Sequence, residues 1–415
     1  MKNLLKIAGV TALGALTIQV ASAQDGRPFS ADISVRGFYD DNIASTPSGT
    51  VVGPQKQSSY GFEIKPSVGY LLEQDQLTLQ AGYVYGMKYY ENRSNSADHS
   101  HLANLDISYQ ASPKHNFIFS EEFVIAQEAE LLDPTGTLVS RSNGNNVRNT
   151  AEIISQIQMS RLIGLEISYK NGYHNYKDSG AAGSRSALLD RMTHLARTDL
   201  QWQQSEKSVI VAGGRFQYRD QTGDDLLTAL GSSPDARDSR SYFGYLGINH
   251  SFSPQLTAVA RAGVEYIEYP NIIGTSNDGA SPFAEASLSY EYREDSTLQL
   301  GLKNQTIQTD VAGGGAGISP TTDADATTVF TVLSHKITPR LQAGATAQIQ
   351  FTSFNGGVSS GQDEVLFSSG VNASYEIITD RLSAEVGYSY DRLKSDLANR
   401  SFSRNRVFVG AKASF

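Results

Sequence analysis

Residues 341–352 have the sequence LQAGATAQIQFT, in which a strongly apolar or small side chain stands at every second position. The odd-numbered positions hold leucine, alanine, isoleucine and phenylalanine, whereas the even-numbered positions hold glutamine, glycine and threonine. Successive side chains of a β-strand point to opposite faces, so the pattern predicts a strand with one face in an apolar medium and the other in water. Residues 77–87 and 382–390 show the same division.

The connections between such segments alternate between short and long. The short ones are tight polar turns, such as Ser253-Pro254-Gln255 and Thr338-Pro339-Arg340. The long ones are rich in Gly, Ser, Asn and Asp, and lie at 43–57, 131–146, 223–239, 271–281 and 312–325. Outer-membrane barrels have short periplasmic turns and longer extracellular loops. The sequence therefore predicts an all-β protein, a transmembrane antiparallel up-and-down barrel of about 18 strands, with about 16 as the alternative.

The segments between the connections also give the position of each strand. We predict strands that begin near residues 30, 58, 77, 100, 116, 147, 165, 192, 209, 240, 256, 282, 297, 326, 341, 363, 382 and 403. An even number of strands places both ends of the barrel on the side of the short turns.

The amino-terminal residues have the features of a secretory signal peptide. Lys2 and Lys6 are followed by the apolar stretch 4–20 and by the small residues Ala21-Ser22-Ala23. A membrane anchor is the alternative, but the stretch is short and ends in a cleavage motif. We predict a signal peptide over residues 1–23 and one barrel domain over residues 24–415.

The chain ends in Phe415, preceded on the same face by Ala413, Ala411, Val409 and Val407. This ending resembles the carboxyl-terminal assembly signal of outer-membrane barrels, although Ala413 stands where that signal usually has an aromatic residue. The resemblance implies that the chain resides in the cell outer membrane. It also implies that outer-membrane lipid and the barrel-assembly machinery are partners.

Composition excludes several classes of protein. The chain carries 34 basic and 43 acidic side chains, and this acidic balance argues against a nucleic-acid partner, which a basic surface would attract. The absence of cysteine excludes disulfides, thiolate metal sites and a cysteine nucleophile.

Strand parity assigns charged side chains to the lumen, because a charge on the lipid face costs about 2–4 kcal/mol at mid-depth. The candidate lumen-lining residues are Arg36, Glu63, Lys65, Lys88, Arg215, Arg261, Glu265, Glu285, Arg293, Lys303, Glu385 and Arg406. Their mixed signs predict a weak ion filter. We also expect no loop long enough to fold inward as a constriction.

No catalytic or metal-binding set stands out. His99 and His101 share a face near Asp98, but none of the seven histidines has the spacing of a known metal motif. The acid pairs Asp40-Asp41 and Asp224-Asp225 are similar to carboxylates of barrel proteases, yet we expect them to be solvated. The sequence predicts a protein that is not an enzyme and has no cofactor or metal.

Residues 36–43, RGFYDDNI, end the first predicted strand. They resemble the Tyr-Asp-Asp-Asn signature near the start of the putative type-two β-barrel porin family. The resemblance implies a porin-like barrel and an association with exopolysaccharide export. A local reason for the motif also exists, since Asp and Asn at a strand end favour entry into a turn.

These features predict a porin-like channel for passive diffusion of small polar solutes. One alternative is an outer-membrane component of exopolysaccharide export that works with polysaccharide-export proteins. A surface barrel enzyme is a further alternative. The oligomeric state stays open.

Overall fold

The computed structural model describes residues 28–47, 55–93, 97–127, 144–229, 231–272, 278–313 and 320–415. Over these ranges, eighteen antiparallel strands form one closed sheet. Each strand pairs with the next along the chain, and the first pairs with the last. The predicted all-β barrel is therefore confirmed, whereas the predicted signal peptide lies outside the described residues.

Each strand begins within three residues of the position that the alternation predicted. The strands are β1 (Phe29–Asp40), β2 (Ser59–Glu73), β3 (Leu77–Tyr90), β4 (Ala97–Ser112), β5 (His115–Ala126), β6 (Asn146–Gln158), β7 (Ile163–Tyr176), β8 (Arg191–Ser205), β9 (Ser208–Gln221), β10 (Ser239–Ser253), β11 (Leu256–Glu268), β12 (Gly279–Arg293), β13 (Ser296–Ile307), β14 (Asp323–Thr338), β15 (Leu341–Asn355), β16 (Asp363–Ile378), β17 (Leu382–Ser395) and β18 (Phe402–Ser414). Three long connections contain short helices, which are α1 (Arg185–Leu189) and the 3₁₀ turns Pro234–Arg237 and Gly357–Ser359.

The connections fall into two sets at opposite ends of the barrel. Those after even-numbered strands are two to four residues long, and those after odd-numbered strands are six residues or longer. Both ends of the sheet lie with the short turns. We call the end with the long connections the mouth.

One face of the sheet is apolar and the other polar, as the alternation predicts. Leu246, Val371 and Val409 are among the most exposed apolar side chains, and each occupies the same face of its strand as the apolar residues beside it in register. Exposed tyrosines such as Tyr109 and Tyr290 stand on this face near the short turns. No helix in the described part of the chain is long and apolar enough to cross a membrane, a finding that does not bear on strands.

Candidate functional site

A first ionic cluster lies on the polar face next to the junction of β1 and β18. The Arg36 guanidinium donates to Glu385 of β17 at 2.6 Å, across Gly410 of the intervening β18. A Cβ at Gly410 would lie 2.5 Å from Arg36 Cγ, so a larger residue there would displace the arginine. Arg36 also approaches Glu63 at 4.0 Å, and Lys65 lies 2.9 Å from Glu63.

A second cluster shows which face of the sheet is the inside. Arg215 of β9 lies 3.1 Å from Glu285 of β12, and Arg261 of β11 lies 3.8 Å from the same carboxylate. The Arg215 guanidinium also stands 4.8 Å from the ring centres of Tyr245 and Phe283. Two whole strands separate β9 from β12. Side chains can meet across them only on the concave side of a closed sheet, so the polar face points into the barrel.

The other predicted lumen residues are placed as follows. Lys303 pairs in register with Glu285 on this face. Arg406 Nε donates to Ser389 Oγ at 3.3 Å. Lys88 Nζ lies 4.9 Å from the ring centre of Tyr90.

Two further candidates differ in their surroundings. Glu265 is 2% exposed and accepts a hydrogen bond from the Thr306 backbone N–H at 3.4 Å. Arg293 is the last residue of β12, exposed beside a short turn, and stands apart from both ionic clusters.

The carboxyl-terminal strand has the predicted parity. Val407 and Val409 are 47% and 65% exposed on the outer face, and Ala411 and Ala413 continue that face toward the short-turn end. Phe415 follows directly, 81% exposed, and its N–H donates to the Ala31 carbonyl at 2.9 Å. The role of these residues in assembly stays a prediction.

The Tyr-Asp-Asp-Asn motif closes the seam, which we define as the contact between β1 and β18. Asp40 and Arg404 of β18 are 0% and 1% exposed, and Arg404 Nε donates to both Asp40 carboxylate oxygens at 3.0 Å. Asn42 Nδ2 donates to the Ser403 carbonyl at 3.0 Å. The expectation of solvated acids is therefore wrong for Asp40, because β18 supplies a buried guanidinium that the local sequence does not show.

Asp41 also binds β18. Its carboxylate accepts hydrogen bonds from the Asn405 backbone N–H at 2.6 Å and from Lys56 at 2.9 Å. Partial burial would raise the pKa of Asp41, but these hydrogen bonds and the Lys56 charge outweigh it and lower the pKa. In the second acid pair, Asp225 accepts from the Gly180 N–H and the Ser184 hydroxyl, each at 2.7 Å. Both carboxylates therefore hold backbone and loops in place.

His99 and His101 do not form a site with the neighbouring acid Asp98. His99 Nδ1 and His101 Nδ1 are hydrogen-bonded to Tyr85 Oη and Tyr83 Oη at 2.7 and 2.8 Å, on the outer face. Asp98 points to the opposite face and pairs with Arg93. Within the described ranges, no group of three or more His, Cys, Asp or Glu side chains could hold a metal ion.

Sequence reasoning missed the arrangement at the mouth. The described residues 308–313 and 320–322 of the connection between β13 and β14 are here called the mouth loop. Arg237, only 1% exposed, donates to the carbonyls of Thr321 at 2.8 Å and Thr309 at 3.1 Å, and also to that of Val311. A fourth bond goes to the Leu188 carbonyl at 3.3 Å. One guanidinium thus joins both ends of the mouth loop to the connection between β7 and β8.

Asp310 of the mouth loop bridges two further connections. Its carboxylate lies 3.4 Å from Arg185, in the β7–β8 connection, and 2.8 Å from Arg400, in the β17–β18 connection. These connections are separated by ten strands in one direction and eight in the other, so they rise from opposite sides of the barrel. A side chain that touches both lies near the centre of the mouth.

The expectation that no loop folds inward is therefore wrong. It rested on loop length alone, whereas contacts with Arg185, Arg400 and Arg237 from other connections hold the described residues of the mouth loop over the opening. Apolar contacts support the arrangement, since Ala312 packs against a buried cluster that includes Leu188, Leu189 and Leu227.

The charges at the mouth are set by burial and by each other. Burial lowers the pKa of Arg237 to about 10, partly offset by the nearby charge of Asp310, so the guanidinium is still positive at neutral pH. Burial also works against the charge of Arg400, but Asp310 and Glu364 outweigh it and raise the pKa. Arg400 Nε lies 2.5 Å from Glu364 Oε1, which fixes this arginine to the start of β16.

Comparison with known proteins gives a family resemblance. Residues 211–415 match the model of the family described as "Putative beta-barrel porin 2". That stretch includes most of β9 and all of β10–β18. No curated protein sequence matches the chain significantly.

Several solved structures align with the barrel. The chain aligns over 93% of its length with 98% of Pseudomonas aeruginosa OccK9 (OpdG), at 12% identity and a TM-score of 0.47. It aligns over 90% of its length with the copper transporter OprC (10% identity, TM-score 0.45) and over 89% with the FrpB iron transporter from Neisseria meningitidis (8% identity, TM-score 0.47). It spans 64% of the length of each of these two transporters. The chain is a porin-like, closed β-barrel of the outer-membrane type that resembles the putative β-barrel porin 2 family over residues 211–415.

Proposed function

We propose that the protein is an outer-membrane channel through which small polar solutes diffuse passively. The observation that carries the proposal is the closed sheet of eighteen strands with an apolar outer face and a polar inner face. Barrels of about 16–18 strands are wide enough to leave an aqueous lumen. The apolar face would contact outer-membrane lipid, and the terminal strand with Phe415 would engage the assembly machinery.

The charges on the inner face support weak ion selectivity. Arg36 is paired with Glu385, and Arg215 with Glu285, so opposite charges neutralise each other along the wall. A strong filter would instead need a ring or ladder of one sign. The net charge of −9 favours a slight enrichment of cations, which salt screens within about 10 Å at 0.1 M.

Conductance of the purified protein in planar bilayers under a salt gradient tests the proposal. Stable steps with a small reversal potential toward cations are the expected result. If the folded protein shows no conductance and a deletion strain loses its surface polysaccharide, the passive-channel proposal is wrong and the polysaccharide-export alternative is favoured. Hydrolytic activity that Asp41→Ala abolishes would favour the enzyme instead.

A further inference from the structure

We propose that the mouth loop is the constriction of the channel, and that Asp310 holds it there by bridging Arg185 and Arg400. The inference rests on the proposed channel function and adds the residue that sets the size limit for solutes. It starts from the position of Asp310 near the centre of the mouth, where its carboxylate meets arginines from opposite sides of the barrel. A solute that enters from this end must pass beside that bridge.

The mouth loop is attached differently on its two sides. On the side of its own strands the attachment is backbone pairing, since the Thr322 N–H donates to the Asn355 carbonyl at 2.9 Å and the Val358 N–H donates to the Gly313 carbonyl at 2.7 Å. Toward the opposite side, ionic and hydrogen-bonding side chains provide the attachment, through Asp310 and Arg237. Side-chain links can therefore be removed while the strand-side attachment remains.

The bridge is well suited to hold a fixed position. The Asp310 side chain is 3% exposed and that of Arg400 is 20% exposed, so water competes little for their contact. Arg400 is also bound to Glu364, so it cannot follow Asp310 if the loop moves. When one charge of such a buried ion pair is removed, the remaining side chain no longer holds its partner in place.

Asp310→Asn is the informative substitution. It keeps the shape of the side chain and leaves Arg400 paired with Glu364, and Arg185 can turn toward solvent. Asp41→Asn is the matched control, because Asp41 is also a loop carboxylate at the mouth end with a basic partner, but it binds at the seam. Should Asp310→Asn fail to form a heat-modifiable barrel, Arg185→Gln breaks the same bridge from the other side.

The first measurement is unitary conductance together with the size cut-off for uncharged polymers. Asp310→Asn should raise the unitary conductance about two-fold or more and admit larger polymers, because the narrowest section sets both quantities. Asp41→Asn should match the wild type. Equal conductance and equal cut-off in wild type and Asp310→Asn would overturn the inference and leave the proposed channel intact. No conductance in any of these proteins would instead overturn the proposed function, and the constriction with it.

A second measurement uses the absence of cysteine from the chain. In the double variant Asp310→Cys/Arg400→Cys, a short, cleavable bifunctional thiol reagent should restore the contact covalently. Cross-linking should return the raised conductance to the wild-type value or below, and cleavage should raise it again. Cross-linking that proceeds without a change in conductance would show that the mouth loop does not limit the pore.

Discussion

Replacing Asp40 with leucine should open the seam of the barrel at its mouth end. Asp40 and Arg404 are buried, and the arginine reaches both carboxylate oxygens. Asp40 also accepts a hydrogen bond from the Asn42 N–H at 3.1 Å, which starts the turn that follows β1. The substitution removes the charge partner of a guanidinium that has almost no access to water.

The expected loss follows from these contacts. Removal of one partner from a buried ion pair costs about 3–5 kcal/mol, because the remaining charge stays buried. We expect the lower end, about 3 kcal/mol, since Asp391 pairs in register with Arg404 and leaves a second carboxylate nearby. The control Asp41→Asn should cost no more than about 1 kcal/mol, because that carboxylate is partly exposed to solvent.

Reversible urea unfolding in lipid vesicles, followed by heat-modifiability on gels, measures the difference. The double variant Asp40→Leu/Arg404→Leu should recover part of the lost stability, because the buried guanidinium that loses its carboxylate in Asp40→Leu is removed as well. Equal unfolding midpoints for Asp40→Leu and Asp41→Asn would refute the assignment of the motif as a clamp between β1 and β18.

Three other predictions concern the mouth, the lipid face and assembly. Burial raises the pKa of both Asp190 and Asp238 to about 6, above the ordinary 3.8, so protonation stabilises the packed connections. That stabilisation is complete below pH 3.8 and is lost as the pH rises through 6. Single channels should therefore open more fully at pH 7.5 than at pH 5. The double variant Asp190→Asn/Asp238→Asn should remove this difference in conductance. Identical traces at both pH values would exclude this coupling. Glu121 lies in mid-strand on the outer face, in register with Leu105, and accepts a hydrogen bond from Asn149 Nδ2 at 3.3 Å. Removal of a lipid-facing charge should outweigh the loss of that bond, so Glu121→Leu should stabilise the barrel by about 1 kcal/mol in urea; a destabilised variant would mean that the bond to Asn149 contributes more than the charge costs. Deletion of Phe415 should leave the chain in the periplasm, and a normal amount of heat-modifiable barrel in the outer-membrane fraction would contradict the assembly signal.

The strand pattern could be predicted because each strand obeys a local rule. In residues 341–352 apolar or small side chains alternate with side chains that are compatible with water. The two faces of β15 therefore follow directly from the sequence. β5 was the harder case, since Glu121 breaks the alternation between Phe119 and Phe123 on the outer face. The terminal parity from Val407 to Phe415 was also predictable, because it extends the same period to the end of the chain.

The contacts at the mouth and at the seam could not be predicted in the same way. Asp40 and Arg404 are 364 residues apart, and Arg400 and Asp310 are 90 residues apart. Loops have no period that fixes where a side chain points, and closure of the barrel decides which connections face each other. The sequence shows that Arg237 is an arginine in a polar loop, but only the folded chain surrounds it with four carbonyl oxygens.

Swelling of liposomes that contain the folded protein tests passive diffusion most directly. Uncharged sugars of increasing size should enter at rates that rise linearly with concentration and fall with size. This outcome is expected of a water-filled barrel that the mouth loop narrows. Folded, heat-modifiable protein that admits none of the sugars, or that saturates at low concentration with one of them, would contradict a passive channel.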